Sequence, residues 1–248
     1  MAVTDDLSAA ELAAVLPGRP VRTYPALLSS EVDAEAWARA GGPAGGVVTA
    51  GYLAAPRGRA GLPWEPGRGL VFSLLLRPDL PARREGYPYL AAALGLADVL
   101  GGAVRWPDEV HGPVGRTAAL GVRAELGPDT VTWAVVTMLA EHAQAPRAPL
   151  LATIVAAVEG RLDEPVDALL QAYRLRCATL GTRVRARLVP LGPAGPVVEG
   201  EAVDLRPDGA LVIRTEEGRR AVVPPHNLGM LDDLDAPAGG SPQEAGAI

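Results

Sequence analysis

The sequence predicts an α+β protein with two domains, in which a mixed sheet flanked by helices is followed by a small antiparallel β-barrel. Apolar helical segments and β-branched runs intermingle in residues 21–180. From Gly181 onward apolar and polar residues alternate, with turns at Gly192 to Gly195, at 207–209 and at 217–218. We expect residues 1–20 to form a short helical lead, residues 181–232 the barrel, and residues 233–248 a disordered tail.

Composition limits the kinds of partner. The 248 residues are 48% apolar and carry a net charge of -6, and all 23 basic residues are arginine. No uncharged apolar run reaches 18 residues, so we expect a folded cytoplasmic protein that binds neither membranes nor nucleic acid. The single cysteine, Cys177, and the scattered His111, His142 and His226 predict no disulfide and no metal site.

The elements follow in order along the chain. Ser8 and Glu11 have the spacing of a capping box at the start of a first helix. The segment 87–100 is apolar nearly all round, so we expect it to be the central buried helix. The remaining predicted elements are strands at 21–24, 46–52, 67–78 and 130–139 and helices at 31–40, 148–161 and 165–180.

An arginine-rich loop follows the strand at 46–52. It reads Arg57-Gly58-Arg59-Ala60-Gly61 and then Trp64, and its Gly and Pro content excludes regular structure. Guanidinium groups donate forked hydrogen bonds to phosphate oxygens, and glycine lets the backbone close around a ligand. The loop is a candidate phosphate clamp, although a solvated arginine loop has the same pattern.

A second candidate site lies in residues 104–125. We predict one strand at 104–110, with Pro107 marking an edge or a bulge, then a tight turn at 111–113 and a second strand from Gly115. Two strands beside an interrupted ladder can direct charged side chains to one place. The candidates for binding a small acidic or phosphorylated ligand there are Arg105, Asp108, Glu109 and Arg116.

These segments resemble biotin protein ligases. RWPDEV and GRTAALGV are similar to the Lys-Trp-Pro-Asn-Asp and Arg-Lys-Leu-Ala-Gly-Ile strands of that family, and the loop with Trp64 is similar to its Gly-Arg-Gly-Arg-x-Gly-x-x-Trp loop. LLQAYRLRCATLG resembles the linker helix of the bacterial enzymes. The resemblance implies a biotin/lipoate ligase-like sheet, an SH3-like C-terminal barrel and a homodimer. It also implies biotin and Mg-ATP as cofactors, biotinyl-AMP as intermediate and a biotin carboxyl carrier domain as partner.

The resemblance also implies site residues. Arg116 falls on the catalytic lysine of the family, whose ammonium stabilises charge as the adenylate forms. Asp108 falls on the family's asparagine, Ala54 on its glutamine, and residues 135–139 lack its Gly-x-Gly-x-Asn segment. The implied ligand-binding residues are Arg57, Gly58, Arg59, Gly61, Trp64, Arg105, Trp106 and Asp108.

Three functional hypotheses remain open from the sequence. The first is a ligase-like protein with weak or lost adenylate chemistry that still binds a biotin-like or acyl ligand or a carrier domain. The second is an active biotin ligase that uses Arg116 in place of lysine. The third is a lipoate or octanoyl transferase-like enzyme. Some biotin ligases carry an N-terminal DNA-binding domain, and we expect none here, because residues 1–20 are too few to form one.

Overall fold

The computed structural model describes residues 6–67, 69–144, 146–192 and 194–235. The first domain contains five helices and seven strands. The helices are α1 (Ala9–Val15), α2 (Ser30–Arg39), α3 (Tyr87–Leu100), α4 (Arg147–Leu162) and α5 (Val166–Arg176). The strands are β1 (Val21–Leu27), β2 (Gly46–Leu53), β3 (Leu70–Leu76), β4 (Ala103–Arg105), β5 (Glu109–Gly112), β6 (Gly115–Leu126) and β7 (Val131–Ala140).

These seven strands form one mixed sheet in the order β1-β2-β3-β7-β6-β5-β4. Only the β1–β2 pair is parallel, and the other neighbours are antiparallel. The predicted α+β class is therefore confirmed. The buried helix at 87–100 has the predicted bounds, and the Ser8 hydroxyl accepts a hydrogen bond from the Glu11 amide at 3.3 Å, as the capping box predicts.

The two faces of the sheet are covered differently. On one face α3, α4 and α5 form the main core with strand residues such as Phe72 and Leu74. On the other face α2 packs on Leu75 and Val135 at one end of the sheet. Strand side chains alternate between faces, so Val71 lies on the α2 side as well, where Trp64 covers it. The arginine loop, residues 54–67, therefore shares a face with α2.

The prediction of one strand at 104–110 is wrong, because this segment forms two strands. The chain forms two short antiparallel strands, β4 and β5, in which Arg105 pairs with Glu109 around a turn at 106–108. Pro107 lies in that turn, where its missing N–H removes no ladder bond. The next turn is at residues 113–114 and not at 111–113, because β5 continues to Gly112. The turn at 106–108 becomes part of the candidate site.

The C-terminal domain is an open sheet and not the predicted closed barrel. Its strands are β8 (Arg183–Leu188), β9 (Val197–Leu205), β10 (Leu211–Arg214), β11 (Arg220–Val223) and β12 (Leu228–Asp233), in the order β11-β10-β9-β8-β12. A barrel would require β11 and β12 to pair with each other. Instead a 3-10 turn at Pro225–Asn227 directs β12 to the far side of the sheet, beside β8.

The predicted tail begins inside the last strand, since β12 continues to Asp233, and residues 236–248 of that tail lie outside the described residues. In the part of the chain that the structure describes, no helix is both long and apolar enough to cross a bilayer. The predicted absence of membrane binding receives no further test from this observation.

Candidate functional site

The arginine loop lies directly on the sheet. A Cβ atom added at Gly121 of β6 would stand 2.7 Å from the Gly58 carbonyl carbon, and one added at Gly58 would stand 2.6 Å from the Trp64 ring. Two glycines therefore permit this close backbone approach. Gly61 adopts a positive φ of 74°, which glycine allows without strain and which closes the turn after Arg59.

Trp64 fixes the loop to the sheet. Its side chain packs with Ala50, Val71 and Leu139 and is only 8% exposed. Two backbone hydrogen bonds close the loop around it, from the Trp64 amide to the Pro56 carbonyl at 2.9 Å and from the Gly58 amide to the Leu62 carbonyl at 2.9 Å. The indole was predicted to contact ligand, and in this structure it fills the apolar surface beneath the loop.

Arg59 reaches away from the loop toward the C-terminal domain. Its Nε donates to Asp108 Oδ2 at 3.0 Å, in the turn between β4 and β5. Its Nη1 donates to the carbonyl oxygens of Leu228 at 2.5 Å and Gly229 at 2.7 Å, at the start of β12. The guanidinium is almost fully buried. The cation predicted to bind phosphate is therefore already engaged by a carboxylate and two carbonyls.

Asp108 is a buried carboxylate. Burial raises its pKa to about 6, and the positive charge of Arg59 opposes that rise. Burial also raises the pKa of Tyr89, and the negative charge of Asp108 adds to that effect. An asparagine at this position would carry no charge to desolvate, whereas the aspartate gives this turn a carboxyl group with a pKa of about 6.

Arg116 is held between two carboxylates. Its Nε donates to Glu141 Oε1 at 2.5 Å and its Nη1 to Glu109 Oε1 at 2.8 Å, while Glu109 Oε2 lies 2.8 Å from His111 Nε2. Burial opposes ionisation of Glu109, but the hydrogen bonds from His111 and Arg116 bring its pKa down to about 2. The same carboxylates raise the pKa of Arg116 against the effect of burial. The charge of Arg116 is therefore compensated locally.

Arg105 and Trp106 contact the second domain. Trp106 is buried, and its Nε1 donates to the Gly209 carbonyl at 2.9 Å, while Arg105 Nη2 lies 3.3 Å from Asp233 Oδ2. The structure thus brings Asp108, Glu109 and Arg116 of the predicted cluster together and turns Arg105 toward β12. The predicted ligand roles of Arg105 and Trp106 stay predictions.

Arg57 differs from these cations. Among the described residues it makes no hydrogen bond or ion pair, and its side chain is on the exposed side of the loop. Its charge acts on Glu31. Burial raises the pKa of Glu31, and the positive charges of Arg123 and Arg57 only partly oppose that rise. Within the described part of the loop, Arg57 is the cation most available to an anionic ligand.

Sequence reasoning assigned no role to Glu31, Arg123 or Glu141. Glu31 lies in the first turn of α2, is 6% exposed and accepts a hydrogen bond from Arg123 Nε at 2.9 Å. Beside it Ser73 Oγ bonds Ser30 Oγ at 2.9 Å and Thr137 Oγ1 at 2.8 Å. Glu141 follows β7 directly, so it belongs to no periodic pattern that would have pointed to it.

Some of the residues present could bind biotin or Mg-ATP directly, whereas others are already engaged by protein groups. Arg57 offers a charged donor to a phosphate, and the buried hydroxyls beside α2 offer hydrogen bonds to a polar head group. Arg59 and Arg116 would have to leave carboxylates first. No group of three or more metal-binding side chains occurs within the described ranges. A surface cavity of about 490 Å³ lies on the helical face, at the ends of β3 and α4, away from all the predicted site residues.

Comparisons with known proteins find a likeness to biotin protein ligases. Residues 179–223 match the family described as "Biotin protein ligase C terminal domain". The bifunctional ligase/repressor BirA of Bacillus subtilis is 23% identical over 243 residues, covering 83% of this chain and 72% of that protein.

Two solved structures share the fold. The biotin protein ligase from Aquifex aeolicus, in complex with biotin and ATP, has a TM-score of 0.61 at 19% identity and covers 86% of this chain and 99% of its own. A biotin protein ligase-like protein of unknown function from Silicibacter has a TM-score of 0.63 at 17% identity, covering 85% and 96%. These comparisons show a biotin protein ligase-like fold and a C-terminal segment that matches the family model, in agreement with the predicted resemblance.

Proposed function

We propose that this chain is a biotin protein ligase-like protein in which biotinyl-adenylate chemistry is weak or lost, and which binds a biotin-like or acyl ligand or a carboxylase carrier domain. The observation that carries the proposal is the environment of Arg116. The group at the position of the family's catalytic lysine is bonded to Glu109 and Glu141 in the same structure.

The chemistry of arginine supports this proposal. Lysine presents a compact ammonium on a flexible stem, whereas a guanidinium is planar and larger, so the exchange is not conservative at a site built for ammonium. A displacement of about 1 Å at a reacting centre can cost about 100-fold in rate. Arg116 would also have to be released from two anions before it stabilised a developing charge on the substrate.

Retained features support binding of a ligand. The loop keeps Arg57, Gly58, Arg59 and Trp64, and the Aquifex relative has biotin and ATP in its structure. The C-terminal family match favours a biotin-type ligand over the lipoate or octanoyl type, which is the third hypothesis. We propose the same loop and the face beside α2 as the ligand-binding region, with Arg57, Gly58, Arg59, Gly61, Trp64, Arg105, Trp106 and Asp108 contributing to it.

The test combines turnover with binding. Purified protein is mixed with biotin, Mg-ATP and a biotin carboxyl carrier domain, and the carrier mass is followed. We expect biotinylation of the carrier to be absent or much slower than with a lysine-containing ligase that is measured alongside. We also expect a higher midpoint of thermal unfolding with biotinyl-adenylate, because a ligand that binds only the native state stabilises it. Carrier biotinylation at a ligase-like rate would instead support the second hypothesis, an active enzyme that uses Arg116.

A control separates loss of binding from loss of chemistry. In Arg57→Ala, the thermal shift with biotinyl-adenylate should shrink, because the exposed cation of the loop is removed. If the wild-type protein shows no shift at any ligand concentration, the proposed ligand class is wrong. We further propose that the chain acts in the cytoplasm and without nucleic acid, which its net charge of -6 supports.

A further inference from the structure

One side chain joins three segments that are far apart in the sequence. Arg59 belongs to the arginine loop, Asp108 to the turn between β4 and β5, and Leu228 and Gly229 to the start of β12. The first two segments belong to the ligase-like domain and the third to the C-terminal domain. The guanidinium is nearly inaccessible, so water does not readily replace these hydrogen bonds.

The acceptors on β12 are available because the ladder is irregular there. Leu228 pairs with Leu188 and Met230 with Arg187, so Gly229 is an extra residue between two consecutive pairs. A bulge leaves such a residue unpaired and changes the direction of its backbone groups. A Cβ atom at Gly229 would stand 2.3 Å from the Leu191 side chain, which would then have to move. The bulge thus supplies carbonyl oxygens to Arg59.

We propose that Arg59 is an interdomain latch: the arginine loop cannot lift from the sheet without freeing the start of β12. An anionic ligand that draws Arg59 to itself has to replace Asp108 and two carbonyls. Ligand binding by this residue and attachment of the C-terminal domain therefore compete. The inference concerns the protein without ligand and does not depend on the identity of the ligand.

Hydrogen–deuterium exchange of the full chain without ligand tests the latch. In Arg59→Ala, amides of both the arginine loop and β12 should exchange about tenfold faster or more, as expected when hydrogen bonds to a buried charge are lost. Arg57→Ala is the matched control, since it removes a neighbouring arginine that has no hydrogen-bonded partner among the described residues. It should leave β12 unchanged. Unchanged protection of β12 in Arg59→Ala, or an equal loss in Arg57→Ala, overturns the proposal.

A second variant keeps the test decisive if Arg59→Ala unfolds. Arg59→Lys retains a positive charge for Asp108, but one ammonium cannot span the carboxylate and both carbonyls. Exchange in the arginine loop and in β12 should rise together, by less than in the alanine variant, while α3 keeps its wild-type protection. The latch is rejected if both segments of the lysine variant exchange at the wild-type rate.

Discussion

Arg116 is a cation that two carboxylates share. These carboxylates differ in exposure: Glu141 is almost fully buried, and Glu109 is about one third exposed. Removing the cation from a buried ion pair costs more than removing it from an exposed one, because the remaining charge is poorly solvated. Arg116 is therefore a structural cation in this fold.

The first prediction follows from this burial. Arg116→Gln should lower the free energy of unfolding by about 2 kcal/mol, because it removes the ion pairs of Arg116 with the buried Glu141 and with Glu109. Arg105→Gln is the control: Arg105 is similarly exposed but makes a single 3.3 Å contact with the partly exposed Asp233. Arg105→Gln should lower the free energy of unfolding by less than about 1 kcal/mol. Urea unfolding of both variants measures the difference, and equal costs would contradict the structural role of Arg116.

The second prediction concerns the pH dependence of stability. The pKa of Asp108 is about 6 in the folded protein, above its ordinary value of 3.8. Between these values the folded state binds more protons than the unfolded state, so Asp108 makes the protein more stable as pH falls through that window. Asp108→Asn cannot titrate. The wild type should therefore gain about 1–3 kcal/mol relative to Asp108→Asn between pH 6.5 and pH 4.

Urea unfolding at several pH values between 6.5 and 4 checks this difference. Both proteins contain Glu109, so its contribution largely cancels in the difference between them. This matters because Glu109 makes the protein less stable as pH falls, whereas Asp108 makes it more stable. The pKa of Glu109 is lowered to about 2, so its contribution is present above the unfolded pKa of 4.5 and is lost as pH falls toward 2. A constant difference between wild type and Asp108→Asn would show that Asp108 ionises normally.

At the scale of elements, the arginine loop depends on backbone contact with β6. The third prediction is that Gly121→Ala costs about 1–3 kcal/mol, because its Cβ would stand 2.7 Å from the Gly58 carbonyl carbon and neither backbone can move freely. Proteolysis should then cut the loop faster. Gly160→Ala is the control, since no atom lies within 4 Å of its Cβ on α4, and it should stabilise by up to about 1 kcal/mol.

Thermal unfolding and limited proteolysis of both alanine variants decide this point. If Gly121→Ala were as stable and as protease-resistant as Gly160→Ala, the loop would not rest on the sheet at this point. Alanine in a strand interior is favoured over glycine when space allows, so a loss of stability at residue 121 can only come from the contact with the loop.

The elements also show what sequence reasoning could reach. Helix 87–100 was predicted with its observed bounds, and the strand predicted at 67–78 contains β3, because long apolar segments have unambiguous period and length. The two short strands around 106–108 were missed, since a run of four or three residues carries too little pattern to separate a strand from a turn. The open C-terminal sheet was missed because alternation predicts strands but not whether the first and last ones pair.

The candidate site, like the fold, could be predicted only in part from the sequence. Sequence reasoning predicted the loop and the charged strands, and it grouped Asp108, Glu109 and Arg116, which the structure brings close together. It could not predict that Arg59 donates to the backbone of residues 228 and 229, because carbonyl oxygens have no signature in a sequence. Contacts between side chain and backbone over 169 residues of separation depend on how the two domains dock.

For the whole molecule, the outer strands of the main sheet bear on assembly. β1 and β4 end the sheet, and Cys177 forms a β-bridge with β4 on its outer side, so β1 is the more open edge; an unpaired strand edge is a place where a second chain can add. The fourth prediction is therefore a homodimer, as the resemblance to biotin protein ligases implies. Light scattering over a range of concentrations checks it. A molar mass near the 25.6 kDa of one chain at high concentration would contradict this prediction.

We propose that Arg116, held by Glu109 and Glu141, does not support formation of biotinyl-adenylate. Biotin-dependent exchange of labelled pyrophosphate into ATP measures that step alone, without a carrier domain. We expect this exchange to be at least about 100-fold slower for the wild-type chain than for a lysine-containing biotin ligase assayed beside it. Exchange as fast as that of the lysine-containing ligase would show that Arg116 supports the reaction.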